Sequence, residues 1–204
     1  MLNFKYKLFG RSKGRKKNKN FLLNNLNEFD FNIKKDLNKK SFNILDIGSG
    51  NGENAIYLSK LYPNSKIITC EIFEDGNINL INQINELHIH NIRLFKGNAL
   101  QLLDELKKNI IFNQVWILFP DPWPKNKHIG RRFINRKSIG EISRVLKPKC
   151  EIMLASDDWI SQTWILQNFV LSISINHSNL SKLIFDPIYH LKICYSYNQK
   201  NLKK

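Results

Sequence analysis

Asp121 stands between two prolines in the run Phe119-Pro120-Asp121-Pro122-Trp123-Pro124-Lys125. The proline rings fix φ on either side of the carboxylate, so the backbone there is stiff. A carboxylate held rigidly after a strand suits a group that must meet two reactants at once. Trp123 offers an aromatic surface that packs under the loop or stacks on a base. Lys127, Arg131 and Arg132 follow, with His128 between them, and form a cationic cluster able to bind phosphate beside the carboxylate.

A second constellation lies upstream, where Gly48-x-Gly50-x-Gly52 follows an apolar run and opens a helical one, with Asp46 just before it. Glycines allow a tight turn and close approach of a ligand to the backbone. Gly52 alone also serves as a helix cap. Glu71 closes the next apolar run, near the ~20-residue spacing expected between a glycine loop and a ribose-binding acid. Its carboxylate can accept both hydroxyl protons of an adenosine ribose, or stand as a solvated strand end. Asn98 follows the third such run, and its amide either reads an adenine edge or caps the next helix. Taken together and in order, Asp46, Gly48, Gly50, Glu71 and Asn98 predict a nucleoside-cofactor site. The third glycine comes one position earlier than in the G-x-G-x-x-G fingerprint, which disfavours a nicotinamide enzyme.

The elements needed to position these groups are legible as hydrophobic periods. Strands are predicted over 42–47, 66–71, 92–95, 114–119 and 151–156, with two more within 183–197. Helices are predicted over 54–61, 78–87, 99–106, 134–146 and 157–170, with Ile78, Ile81, Ile84 and Leu87 as the buried face of the second and Lys147-Pro148 closing the fourth. Strands alternating with helices imply a largely parallel sheet covered on both faces, with ligands at the carboxyl ends of the strands.

The chain has 204 residues, which suits one domain over 41–204 behind a basic, partly flexible arm over 1–40. Hydrophobic residues make up 42%, enough for a core, so a wholly disordered chain is excluded. The net charge of +15 points to an anionic partner, nucleic acid before membrane, although abundant Asn, Ile and Lys mark a composition bias that supplies part of it. Every charged residue between positions 5 and 19 is basic. Cys70, Cys150 and Cys194 are odd in number and widely spaced, and His88 and His90 have no partners at ligand spacing, so neither a disulfide framework nor a metal site is expected. No apolar stretch is long enough to cross a bilayer, and a cytoplasmic location is expected.

The segment FPDPWPKNKHIGRR resembles the signature of the bacterial tRNA (guanine-N7-)-methyltransferase family. Phe9-Gly10-Arg11-Ser12-Lys13-Gly14-Arg15 is similar to that family's basic arm, residues 71–76 to its segment after the second strand, and Ala155-Ser156-Asp157-Asp158-Trp159 to its Ala-Thr-Asp-Trp element. The resemblance runs from the arm to about Val170. It implies a Rossmann-like class I methyltransferase fold with a mostly parallel seven-stranded sheet, S-adenosylmethionine as cofactor, and tRNA as substrate, methylated at guanosine 46 by a monomer or homodimer. It also implies cofactor contacts at Asp46, Glu71, Asn98 and Asp121, substrate contacts at Lys125 and Asp157, and a catalytic role for Asp121. The family has Asp where Asn98 stands. Its C-terminal Thr-x-Phe/Tyr-Glu element has its nearest counterpart in Tyr195-Ser196-Tyr197-Asn198, without the Thr or the Glu. The alternatives are a methyltransferase acting on another RNA base and a non-catalytic RNA-binding protein with a decayed cofactor pocket.

Overall fold

The computed structural model describes residues 28–106, 111–176, 180–186 and 190–195. The chain divides into two compact units between Glu105 and Leu106.

The first unit alternates β1 (Asn43–Ile47), α2 (Glu53–Leu61), β2 (Lys66–Cys70), α3 (Glu74–Glu86), β3 (Ile92–Phe95) and all but the last residue of α4 (Ala99–Leu106), behind a short α1 (Ile33–Asp36). Its three strands are parallel in the order β3-β2-β1, with Ile47 opposite Cys70 and Cys70 opposite Phe95. That register aligns the carboxyl ends of the strands, so the residues that follow emerge side by side. Every residue of β1 is buried, as expected of a parallel strand covered on both faces. Ile44, Leu45, Ile67, Ile68, Ile92 and Leu94 form the core with Leu80, Ile81 and Ile84 of α3. The buried face of α3 therefore differs from the predicted one. Leu80 takes the place of Ile78, Leu87 is exposed, and the helix begins at Glu74, not at position 78.

Residues ahead of position 40 are part of this unit. Phe31 N–H donates to Leu94 O at 2.8 Å and Leu94 N–H to Phe29 O at 2.8 Å. Asp30 pairs with Lys96 at 2.6 Å, and the buried Asp36 with Arg93 at 3.2 Å. Residues 1–27 of the arm expected over 1–40 lie outside the described residues.

The second unit holds β4 (Phe112–Leu118), a 3-10 helix (Asn126–Arg131), α5 (Arg136–Val145), β5 (Leu146–Ala155), α6 (Trp159–Asn176), β6 (Leu180–Asp186) and β7 (His190–Tyr195). Its strands run β4-β5-β7-β6, with β4 and β5 parallel and β7 antiparallel to both β5 and β6. Lys147-Pro148, predicted to close a helix, lies inside β5. Leu146 pairs with Phe112 and pairing resumes only at Glu151, so Pro148 falls in an irregular stretch that needs no ladder N–H from it. Asn135 caps α5 through a reciprocal box with Ser138. Cys70 and Cys150 are free, buried thiols. Among the described residues no helix is long and apolar enough to cross a membrane, and no cluster of His, Cys, Asp or Glu is built to hold a metal.

Candidate active site

The chain places predicted site residues at the carboxyl ends of strands in both units. In the first, Gly48 N–H donates to Cys70 O at 2.8 Å and Glu71 N–H to Phe95 O at 3.1 Å, continuing the ladder into the loops. Gly48 and Gly50 have φ of 75° and 55°, and a Cβ on either would meet nothing within 4 Å. The left-handed backbone requires glycine there, and the open space leaves the loop free to accept a ligand at van der Waals distance. Gly52, also left-handed, is the N-cap of α2, so its helix-start role is the one realised.

Glu71 ties the loop to the second strand. Its Oε2 accepts from Gly50 N–H at 2.8 Å, and its Oε1 from Ile72 N–H at 2.7 Å and Phe73 N–H at 2.9 Å. Glu71 is therefore not a solvated strand end. Asp46 is 2% exposed, and burial pushes its carboxyl up to about 7, the Asn54 side chain opposing the rise and the Glu71 charge adding to it. Asp46 Oδ2 and Ser49 Oγ are buried with no hydrogen-bond partner among the described residues. Unsatisfied buried acceptors next to an open glycine turn are what a polar ligand would complete. Asn98 Oδ1 accepts from Leu100 N–H at 2.8 Å, which makes it the cap of α4.

Sequence reasoning gave no role to Gly76. It lies in the first turn of α3, and a Cβ there would stand 2.2 Å from Gly50 O. This helix can approach the glycine turn only because position 76 has no side chain. A glycine so close to a helix start, where propensity disfavours it, was the available signal.

In the second unit Phe119 N–H donates to Ala155 O at 2.8 Å, so the loops after β4 and β5 start side by side. Asp121 is exposed on the first of them and Asp157 on the second. Asp158 Oδ1 accepts from Ser161 N–H at 2.7 Å and so caps α6, which begins two residues later than predicted. The Asp121 loop is bracketed by two left-handed non-glycine residues, Phe119 at φ 49° and Trp123 at φ 41°. Such conformations cost about 1–3 kcal/mol each and persist where surrounding contacts over-determine them.

At Trp123 such contacts come from the cationic cluster. Arg131 lies over the Trp123 ring at 4.9 Å, and His128 meets the same ring edge-on at 5.6 Å. Partial desolvation, with the charges of Arg131 and Lys125, holds His128 below the usual imidazole range. Trp123 thus packs within the loop region. Lys125 and Lys127 are exposed, whereas Arg132 is 7% exposed and faces inward. An open hollow beneath the loop is lined by Pro120, Asp121, Arg132, Ile134, Ser161 and Trp164, among others. Tyr195 is the last residue of β7, and Ser196, Tyr197 and Asn198 lie outside the described residues.

Residues 40–204 match the family model described as "Putative methyltransferase". The chain is 33% identical over 160 residues to the tRNA (guanine-N(7)-)-methyltransferase of Neorickettsia sennetsu, covering 77% of this chain and 73% of that one. It is 34% identical to the Granulibacter bethesdensis protein of the same name over 59% of this chain and 56% of that one, and 37% identical to the Zymomonas mobilis protein over 59% and 52%. Against the last two the chain spans little more than half the relative's length. Among solved structures, a SAM-dependent methyltransferase from Aquifex aeolicus matches at TM-score 0.54 and 16% identity, covering 84% of this chain and 95% of that one. An rRNA methylase from Streptococcus thermophilus matches at TM-score 0.56 and 14% identity, covering 81% and 92%. At such identities the likeness concerns the fold, and it supports the Rossmann-like class I methyltransferase architecture expected from the sequence.

Proposed function

This chain belongs to the bacterial tRNA (guanine-N7-)-methyltransferase family, and we propose that it transfers a methyl group from S-adenosylmethionine to N7 of guanosine 46 in tRNA. The observation that carries the reading is the rigid, exposed Asp121 loop flanked by Lys125, Lys127 and Arg131. The cytoplasm is the expected compartment, and a monomer or homodimer the expected state.

The residues of the first unit fit the cofactor. Asp46 would take its ammonium group, the turn at Gly48 and Gly50 its methionine backbone and Glu71 the ribose hydroxyls, with Asn98, whose Oδ1 also caps α4, beside the adenine. The open glycine turn and the unsatisfied Asp46 and Ser49 oxygens speak against a decayed pocket. Bound S-adenosylmethionine supplies an electrophilic methyl group on a sulfonium. Guanine N7 carries a lone pair and no proton at neutral pH, so the protein needs no general base. What remains for the chain is orientation and electrostatics. Asp121 would orient the guanine and offset the positive charge the purine gains. Lys125, Lys127, Arg131 and Asp157 would hold the RNA around it, with Tyr195 to Asn198 as further contacts.

The test is transfer of labelled methyl to tRNA transcripts carrying guanosine or adenosine at position 46. Labelling of the first alone is the expected result, and labelling indifferent to the change refutes the site assignment. Asp121→Ala should lower the single-turnover rate by about a hundredfold to a thousandfold, as loss of an electrostatic stabiliser does, while tRNA affinity holds within about threefold. Lost affinity with an unchanged single-turnover rate would overturn the role given to Asp121.

A further inference from the structure

The stretch from Pro120 to Pro124 contains three prolines, so only Asp121 and Trp123 have backbone N–H groups. A loop so short of donors cannot satisfy its carbonyls from within. Donors from elsewhere must hold it. They come from Arg132, whose Nε donates to Pro122 O at 3.1 Å and Trp123 O at 3.3 Å, and whose Nη2 donates to Trp123 O at 3.1 Å. These are the two carbonyls immediately after the Asp121 residue. The guanidinium carbon lies over the Trp164 ring of α6 at 4.7 Å from its centroid, and Trp164 is itself fixed by its indole N–H donating to Ile134 O at 2.5 Å.

We propose that Arg132 is a positioning residue, which with Trp164 fixes the Asp121 loop to α6, and that it is not a phosphate contact. The inference rests on the methyl-transfer reading above. The chemistry selects arginine. Its several N–H donors reach two carbonyls while its delocalised charge lies over an aromatic ring. A lysine at the same place is a point donor without a face to stack. Burial of Arg132 also sets it apart from the exposed Lys125 and Lys127 and the half-buried Arg131, which are left to meet phosphates.

The experiment uses the full chain and compares Arg132→Lys, Trp164→Phe, Trp164→Leu and Lys127→Gln. Single-turnover methyl transfer, tRNA affinity against salt, and hydrogen exchange over residues 119–131 are measured for each. Arg132→Lys should slow transfer about tenfold to a hundredfold, the scale of a small misplacement of a reacting group. It should leave tRNA affinity within about twofold, keep the salt slope, and speed exchange in that segment. Trp164→Phe, which keeps an aromatic face, should rescue most of the rate that Trp164→Leu loses, and this pair leaves Arg132 untouched. Lys127→Gln, by removing one phosphate contact, should lower the salt slope by about one and weaken tRNA binding. Normal transfer for Arg132→Lys, or unchanged exchange over 119–131 in both Arg132→Lys and Trp164→Leu, overturns the proposal. A wild-type chain that methylates no tRNA would refute the functional reading, and the exchange measurement would then decide the brace by itself.

Discussion

Asp46 carries the sharpest pH signature among the site residues. Its carboxyl is raised from an ordinary 3.8 to about 7 by burial. Between those values the folded state holds a proton that the unfolded state has released, so stability falls as pH rises. The contribution is fully present below about pH 4 and gone above about pH 7. Asp46→Asn should therefore match the wild type in acid and exceed it by on the order of a few kcal/mol at pH 8, as denaturant titrations at the two pH values will report. The same variant should lose the proton release that accompanies cofactor binding near pH 6.5, where an incoming ammonium would draw the proton off the wild-type acid. Calorimetry in buffers of different ionisation enthalpy reads that release, and its absence in the wild type would count against an ammonium at Asp46. The sequence expected Asp46, Gly48, Gly50 and Glu71 to lie together from their spacing, and the structure brings them to adjacent strand ends. It gave no sign that Arg132 is buried against the Pro122 and Trp123 carbonyls, since a basic residue in a basic run does not announce that its neighbours lack donors.

At the scale of elements, the approach of α3 to the glycine turn is the feature most exposed to test. Gly76→Ala would drive a methyl group toward the Gly50 carbonyl, now 2.2 Å from the ideal Cβ position. Because this clash is with backbone, either the helix or the turn must move. The expected result is a loss of about tenfold or more in cofactor affinity together with about 1–3 kcal/mol of stability, the usual cost of overpacking. Binding and melting measured on one preparation check both, and unchanged affinity would separate α3 from the site. Elements with a clear period, β3 and α4, were legible to the residue. The start of α3 was not, because Glu74-Asp75-Gly76-Asn77 has no apolar period and a poor helix former at its centre. The early part of β5 was hidden by Pro148, which reads as a stop until the irregular pairing around it is known.

For the molecule as a whole, the surplus charge of +15 should appear as salt-dependent tRNA binding. If about five phosphates are contacted, a fourfold rise in salt weakens binding on the order of a hundredfold or more. Filter binding across a salt series measures the slope, and a slope near zero would make the charge a compositional accident. The α/β class was legible at this scale because alternating periods report it directly, whereas the attachment of residues 29–36 to β3 was not, since nothing local specifies a long-range bridge. That attachment bears on how the protein behaves in company. β3 is the outermost strand of its unit, and an outermost strand with idle amides invites a second molecule to add on and begin a fibril. Here Phe29 and Phe31 already occupy both polar groups of Leu94, and the Asp30–Lys96 and Asp36–Arg93 pairs set charges along the same margin. An incoming strand would have to displace the chain's own backbone before it could pair at Leu94, so this edge is guarded from within.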